Sequence, residues 1–145
     1  MRAVVTRVSR ASVKVEGKVT GAIERGYLVL LGVGPEDTAQ TADKMAEKIC
    51  NLRVFEDDQG KMNLNLAAVG GSILAVSQFT LYADTSSRRP GFSGAAKPDL
   101  AIPIYERFMD ACREKGFEVQ QGVFGADMEV ESVNDGPVTI LFELV

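Results

Sequence analysis

The feature that most constrains the fold is an uninterrupted apolar run in the first quarter of the chain, YLVLLGV over residues 27–33. A strand at a sheet surface alternates apolar and polar side chains, whereas a strand covered on both faces is apolar throughout. Residues 72–76, SILAV, which follow two glycines, form a second run that looks buried. The sequence therefore predicts a sheet in which these two strands are covered on both faces.

Shorter segments of alternating or Val-rich sequence predict further strands, many of them paired in antiparallel fashion. We predict a first strand over residues 2–9 and a hairpin over residues 12–24 that turns at Gly17-Lys18. The other predicted strands are residues 52–55, 117–124, 128–133 and 138–145. Between the last two lies Asn134-Asp135-Gly136-Pro137, and these four residue types are typical of a turn.

Two helices are predicted from apolar residues at helical spacing. The first follows Asp37, which we expect to be its N-cap, with Gln40 in the capping-box position. The second ends at Gly116, and because proline is tolerated only near a helix start, we expect regular helix to begin, or to kink, close to Pro103. The expected apolar faces are Ala39, Ala42, Met45 or Ala46, and Ile49 in the first helix, and Leu100, Ile104, Phe108, Ala111 and Cys112 in the second.

Together these segments predict one domain, residues 1–145, with a β-rich α/β fold. We expect largely antiparallel or mixed, barrel-like sheets with two main helices packed on them. Cys50 and Cys112 fall on the buried helix faces, where reduced core thiols are expected. No stretch approaches the ~18 apolar residues of a membrane span. The N-terminus does not resemble a signal peptide, so we expect a cytoplasmic protein with no membrane partner.

The absence of histidine restricts the chemistry that this chain can perform. Histidine is the usual general base and the commonest metal ligand. The two cysteines are distant in sequence, so zinc sites of the Cys/His type are excluded. Catalysis would have to use hydroxyls, backbone groups, carboxylates or the substrate itself, and we expect neither a metal nor another cofactor.

The charge balance by itself argues against a nucleic-acid partner, since the net charge is −4 and the pI is about 4.9. Phosphate binding depends mainly on lysine and arginine, so any RNA contact would need a local basic patch. Each candidate patch could equally be a solvated surface. The candidates are Arg2, Arg7, Arg10 and Lys14 in one group and Arg88, Arg89 and Lys97 in the other.

The segment Ser77-Gln78-Phe79-Thr80 lies at the end of a predicted buried strand, just before a long loop over residues 84–98. It groups two hydroxyls, an amide and backbone N–H groups that could bind a developing oxyanion. A polar strand end that merely satisfies a turn would have the same composition. Phe124 and Met128 lie four residues apart, and on spacing alone they are more often core residues than a platform for a base.

Two of these segments resemble motifs of the D-aminoacyl-tRNA deacylase family. Residues 77–81, SQFTL, are similar to the family's Ser-Gln motif, and residues 134–139, NDGPVT, are similar to its Gly-Pro motif. Residues 7–13, 26–33 and 55–63 also match, and the resemblance covers essentially all 145 residues in order. Two separated motifs on a full-length match are far more specific than either motif alone.

The resemblance implies a homodimer with its active site at the dimer interface. The Gly136-Pro137 peptide would be cis and would reach from one subunit into the pocket of the other. Ser77 and Gln78 would line that pocket, and the backbone around Phe79 and Thr80 would face the scissile ester. Phe124 and Met128 would lie near the bound terminal adenosine of the tRNA. Arg7 would brace the Gly-Pro loop.

The implied substrates are tRNAs charged with D-amino acids or with glycine. Backbone carbonyls would reject an L side chain, whereas glycine offers no side chain to reject. Because the chain lacks histidine, we expect the neighbouring ribose hydroxyl to help water attack the ester. Nothing in the sequence offers an obvious base that would activate Thr80 as a nucleophile.

The sequence departs from the family pattern in the long loop. Ser86-Ser87 stand where the family often has a glycine, and Gly91 stands where a serine often precedes the phenylalanine at 92. Three alternatives stay open: a non-catalytic tRNA-binding module of translation, a D-amino-acid esterase that does not require tRNA, and a structural dimer without catalytic activity.

Overall fold

The fold is organised around a long first strand that pairs with three others; the computed structural model describes all 145 residues. The strands are β1 (Arg2–Val15), β2 (Lys18–Ile23), β3 (Gly26–Gly32), β4 (Phe55–Glu56), β5 (Met62–Leu64), β6 (Ser72–Ser77), β7 (Val119–Gln121) and β8 (Glu129–Glu143). The helices are α1 (Ala39–Cys50) and α2 (Pro98–Glu114).

The main sheet is mixed and curls almost into a barrel. Its strand order is β2-β1-β3-β6-β7, and β8 also pairs with β1. The three partners of β1 are antiparallel to it, whereas β6 is parallel to both of its neighbours. The two edge strands meet, since a Cβ on Gly21 of β2 would lie 2.6 Å from the carbonyl oxygen of Gln121 on β7. The predicted mixed, barrel-like sheet with two helices is confirmed.

The apolar run that forms β3 is covered on both faces, as predicted. Tyr27, Val29 and Leu31 point into a core shared with α1 and α2, whereas Leu28 and Leu30 pack into a second, smaller core on the opposite face. Strand β6 alternates in the same way. Parallel strands need a crossover, and α1 and α2 lie in the two crossovers that lead into and out of β6. Both faces of the sheet centre are therefore buried.

The two helices pack against each other through a buried pair of cysteines and exposed ion pairs. The sulfur atoms of Cys50 and Cys112 lie 3.7 Å apart, and both thiols are free and buried, as predicted. At the surface the Arg107 guanidinium lies 2.6 Å from the Asp43 carboxylate. Neither helix has the length and apolar character that crossing a bilayer requires.

The predicted N-cap of α1 is wrong by one residue. Thr38 caps the helix, and it exchanges hydrogen bonds with Thr41 in a capping box, so neither Asp37 nor Gln40 has the expected role. Asp37 is buried, and its carboxylate accepts a hydrogen bond of 2.9 Å from the amine of Met1. Only tertiary structure brings that charged partner to Asp37, which leaves the neighbouring threonine to cap the helix.

Of the two alternatives expected at Pro103, a helix start or a kink, the helix start is wrong. The helix begins at Pro98, where the fixed φ of proline suits the first helical position, and it continues through Pro103. Pro103 lies on the exposed side, so water can solvate the carbonyl of Asp99 that would otherwise bond to residue 103. Leu100, predicted on the apolar face, is exposed.

Several strand boundaries differ from the prediction. Residues 2–9 and 12–15 belong to one strand, β1, whereas the predicted strands over 52–55 and 117–124 shrink to the short β4 and β7. Residues 128–145 were expected to form two strands separated by a turn, but β8 is a single strand. Thr6 of β1 pairs with Thr139 and Val8 pairs with Asn134, so residues 135–138 bulge out of β8 opposite Arg7.

Candidate active site

The Ser-Gln segment is fixed at the point where β6 leaves the sheet. Ser77 is the last residue of β6, and the N–H of Gln78 donates a 2.8 Å hydrogen bond to the carbonyl of Leu31 on β3. Gly32 permits this close approach, because a Cβ there would lie 3.0 Å from the Gln78 carbonyl oxygen. Ser77 and Gln78 are therefore fixed to the two central strands, β6 and β3.

A short 3-10 turn, Phe79–Tyr82, follows directly. The first N–H groups of a helical turn have no acceptor within the turn, and no side chain caps this one. The first hydrogen bond within the turn is donated by the N–H of Leu81 to the Gln78 carbonyl, at 3.2 Å. The N–H groups of Phe79 and Thr80 are therefore the candidate donors to a developing oxyanion.

The Thr80 hydroxyl is held by its neighbour. The amide nitrogen of Gln78 donates a hydrogen bond to Oγ1 of Thr80. This is the only hydrogen bond of the Thr80 side chain, so no carboxylate or amine lies within hydrogen-bonding distance of that hydroxyl. The geometry provides no base for Thr80, in agreement with the sequence analysis.

A cleft of about 300 Å³ joins the Ser-Gln segment to the loop before β8. This volume lies at the lower end of the range for small-molecule sites. Five of the predicted site residues line it together: Ser77, Gln78, Phe79, Phe124 and Met128. Thr80, Arg7, Gly136 and Pro137 do not. The other lining residues are Val76, Gly125, Ala126, Asp127 and Val130.

Two residues that the sequence analysis did not single out shape the far wall of the cleft. Gly122 lies under Met128, and a Cβ there would come within 2.5 Å of the methionine sulfur. Tyr105 of α2 packs its ring 6.2 Å from that of Phe124 and donates a 2.8 Å hydrogen bond to the Ala75 carbonyl. A glycine inside a predicted strand can mark such a close approach, whereas nothing in the sequence pointed to Tyr105.

The site offers few groups that can accept a proton. Burial, with a further contribution from the Asp37 charge, raises the pKa of Tyr82 to about 12. Burial also raises the pKa of Tyr105 above its ordinary value. Both phenols therefore stay protonated at neutral pH. Asp127 is the single ionisable side chain that lines the cleft.

The Gly136-Pro137 peptide bond is cis, as the resemblance implied. Both residues are exposed and lie in the bulge of β8, outside the cleft of their own chain. Gly136 has φ +128°, and a Cβ on it would lie 2.9 Å from the Val138 nitrogen and 3.1 Å from Nη2 of Arg7. Few residues other than glycine adopt this backbone conformation, and none would find room here.

Arg7 holds the bulge from inside the protein. It is only 6% exposed, and its Nε donates a 3.0 Å hydrogen bond to the Asp135 carbonyl. Its Nη1 donates a 2.6 Å hydrogen bond to the carbonyl of Val54, just before β4. The Asp135 carboxylate lies 3.4 Å from the same Nε. One buried guanidinium thus fixes the backbone next to Gly136 to a different part of the chain.

Comparison with known proteins gives concordant matches. The family model described as D-Tyr-tRNA(Tyr) deacylase matches residues 4–143. The D-aminoacyl-tRNA deacylase of Koribacter versatilis (strain Ellin345) is 58% identical over 144 residues, 99% of this chain and 97% of that protein. The D-aminoacyl-tRNA deacylase of Thermus aquaticus is 56% identical over 144 residues, 99% of this chain and 95% of that protein.

Two solved structures share the fold along the whole chain. The structure named c-Myc DNA Unwinding Element Binding Protein has a TM-score of 0.94 and 43% identity, and the match covers 100% of this chain and 99% of that one. A structure described as a probable eukaryotic D-amino acid tRNA deacylase has a TM-score of 0.84 at 17% identity, covering 99% of this chain and 98% of that one. At that identity the second match bears on the fold alone.

Proposed function

The chain belongs to the D-Tyr-tRNA(Tyr) deacylase family, and we propose that the cleft between Ser77 and Met128 is where it hydrolyses the ester of D-aminoacyl-tRNA. The reaction releases the D-amino acid from the tRNA and so serves quality control in translation. One observation carries the assignment of the site: the cleft joins the Ser-Gln strand end to Phe124 and Met128. The ester would lie beside the Ser-Gln strand end, and the terminal adenosine would lie beside Phe124 and Met128.

The chemistry would rest on the backbone of the 3-10 turn. An aminoacyl ester is already activated, so the site has to stabilise the tetrahedral oxyanion and position water. The N–H groups of Phe79 and Thr80 would supply the oxyanion donors, and one such donor contributes roughly 10²–10³ in rate. The Leu31 bond to Gln78 keeps this turn in place before substrate arrives.

We propose that the neighbouring ribose hydroxyl of the substrate assists the attacking water. The only ionisable side chain in the cleft is Asp127, and the Thr80 hydroxyl has no base beside it. A tRNA whose terminal adenosine lacks the free vicinal hydroxyl should therefore react at least ~10²-fold more slowly. Asp127→Asn and Thr80→Ala should each cost less than about tenfold. Loss of all activity in Thr80→Ala, with binding intact, would make Thr80 the nucleophile instead.

We further propose that the Gly136-Pro137 segment of a partner subunit completes the cleft in a homodimer. The segment is exposed and pinned by Arg7, yet it lies outside its own cleft, as a segment directed at a second copy would. Main-chain atoms there would exclude an L side chain whatever its chemistry. Glycyl-tRNA should therefore be cleaved as well, and a complete failure to cleave it would contradict this steric selection.

The decisive measurement is deacylation of D-tyrosyl-tRNA and L-tyrosyl-tRNA by the purified protein, with Ser77→Ala and Gly136→Ala as variants. We expect rapid loss of the D ester alone and a loss of at least ~10-fold in kcat/KM for either variant. Persistence of both esters would exclude a deacylase. We also propose that the protein acts in the cytoplasm, where charged tRNA is used.

A second candidate function is non-catalytic binding of nucleic acid, because a structural neighbour at 43% identity is named for binding a DNA element. In that case the protein would bind tRNA with equal affinity whatever the chirality of its amino acid. Ser77→Ala and Gly136→Ala would then leave binding unchanged, and neither ester would be lost. The same deacylation assay therefore separates the two functions.

A further inference from the structure

The loop between the 3-10 turn and α2 is a defined structure with an exposed tip. We call residues 84–97 the Arg-Arg loop. Two backbone hydrogen bonds join Asp84 and Gly91 at 2.7 and 3.0 Å and close the tip into a small hairpin. Near the end of the loop the N–H of Ala96 donates a 2.9 Å hydrogen bond to the carbonyl of Val33, next to β3. The tip is therefore closed on itself, and the C-terminal end of the loop is attached to the residue that follows β3.

The cations of this loop have no partner within the protein. Arg88, Arg89 and Lys97 are exposed, and none of their side chains forms an ion pair or donates a hydrogen bond. By contrast, Arg107 on α2 contacts two carboxylates. In a chain of net charge −4, two adjacent free guanidinium groups form a local positive site. Guanidinium groups bind phosphate well, since their planar fork matches phosphate oxygens.

An exposed aromatic pair connects the loop to the cleft. Phe92 follows the closed tip and packs edge-to-face on Phe79, with the ring centroids 5.3 Å apart. Phe79 lines the cleft and is 56% exposed, and Phe92 is 37% exposed. Such exposure is unusual for phenylalanine, and aromatic faces of this kind stack the bases of single-stranded nucleic acids. The surface is therefore aromatic beside the cleft, at Phe79 and Phe92, and cationic at the loop tip.

We propose that the Arg-Arg loop binds the single-stranded 3′ end of the tRNA just upstream of the terminal adenosine. Arg88 and Arg89 contact backbone phosphates, and Phe92 stacks on a base beside the cleft. This inference rests on the proposed function, because it takes the cleft as the site of the terminal nucleotide. Phosphate contacts carry little sequence information, so the loop would serve all tRNAs alike.

The test compares two substrates that differ only in the RNA upstream of the ester. One is D-tyrosyl-tRNA, and the other is D-tyrosyl-adenosine, which has no phosphodiester. The variants are Arg88→Ala/Arg89→Ala and Phe92→Ala. The control is Lys44→Ala/Lys48→Ala, which removes the same charge from the exposed face of α1, where neither lysine has an ion-pair partner.

For each loop variant we expect the fall in kcat/KM on D-tyrosyl-tRNA to exceed the fall on D-tyrosyl-adenosine by ~10-fold or more, mainly through KM. The double arginine variant should also lower the log–log salt slope by about 1.4, because each phosphate contact on a single strand contributes about 0.7. The lysine control should change neither substrate's kinetics nor the slope.

Equal losses on both substrates would overturn the proposal, since the loop would then only shape the cleft. An unchanged kcat/KM on tRNA, or the same loss in the lysine control, would overturn it as well. If the unaltered protein cleaves neither substrate, the proposed function itself has failed. That outcome differs from the other three, because those require an active protein.

Discussion

At the scale of single residues, Arg7 links segments that lie far apart in the chain. Its guanidinium donates to the carbonyls of Val54 and Asp135, and it is almost completely buried. Lysine keeps the charge but has no planar fork that reaches both carbonyls. Arg7→Lys should therefore lower the free energy of unfolding by about 2 kcal/mol and kcat/KM on D-tyrosyl-tRNA by ~10-fold.

Asp135→Asn is the matched control for this prediction. The change removes the carboxylate, which is 47% exposed, but keeps the backbone carbonyl that accepts the Arg7 hydrogen bond. Water screens a carboxylate that is about half exposed, so removing its charge should lower the free energy of unfolding by less than about 1 kcal/mol. If the two variants lost equal activity, the ion pair rather than the backbone bond would fix the loop.

Gly136 is the position at which adding a single methyl group should most reduce stability and activity. Its φ of +128° and the atoms within 3.1 Å of a Cβ leave no room for alanine. Gly136→Ala should destabilise the protein by about 1–3 kcal/mol and reduce deacylation at least ~10-fold. The control is Gly60→Ala, since Gly60 has φ +76° but open space around it. It should cost about 1 kcal/mol in urea denaturation and leave activity unchanged.

At the scale of elements, the start of α1 distinguishes the predicted cap from the observed one. Thr38 and Thr41 share the capping box, whereas Gln40 is exposed and makes no side-chain hydrogen bond. Thr38→Ala should lower the free energy of unfolding by about 1 kcal/mol. Gln40→Ala should change it by less than about 0.5 kcal/mol. The opposite order in urea denaturation would mean that the helix is capped as the sequence alone suggested.

Pro103 lies inside helix α2 and destabilises the folded protein. Pro103 removes a backbone hydrogen bond, and a proline inside a helix is about 3 kcal/mol less favourable than alanine. Its restriction of the unfolded chain offsets about 1 kcal/mol of that. Pro103→Ala should therefore stabilise the protein by about 1–2 kcal/mol and raise Tm. Pro98→Ala, at the first helical position, should have almost no effect, and an equal gain there would refute this explanation.

At the scale of the whole molecule, the outer surface of β8 bears on the proposed dimer. Leu141 is 75% exposed, and Val133, an even number of residues away on the same strand, is 41% exposed. Exposed apolar side chains on a long strand are typical of a surface that pairs with another copy. Leu141→Glu should shift sedimentation velocity from dimer to monomer and reduce activity. Val19→Glu places the same charge on an exposed apolar site of β2 and should keep the dimer. A monomeric, active parent protein would contradict the dimer.

The sequence by itself determined the layers of the fold and the positions of its two motifs. Residues 27–33 and 72–76 had to be covered on both faces, because no exposed strand tolerates such apolar runs, and the structure confirms this. The amphipathic pattern of α1 was equally visible. These features depend on local periodicity, which is written directly in the order of residues.

Only the tertiary structure decided which local alternatives won. Asp37 is a good N-cap residue, yet the amine of Met1 binds it and Thr38 caps the helix instead. The Asn134–Pro137 cluster is a good turn, yet the pairing of β8 with β1 on both sides turns it into a bulge held by Arg7. In each case a partner distant in sequence supplies the deciding free energy, and local propensity cannot report a partner that is brought close only by folding.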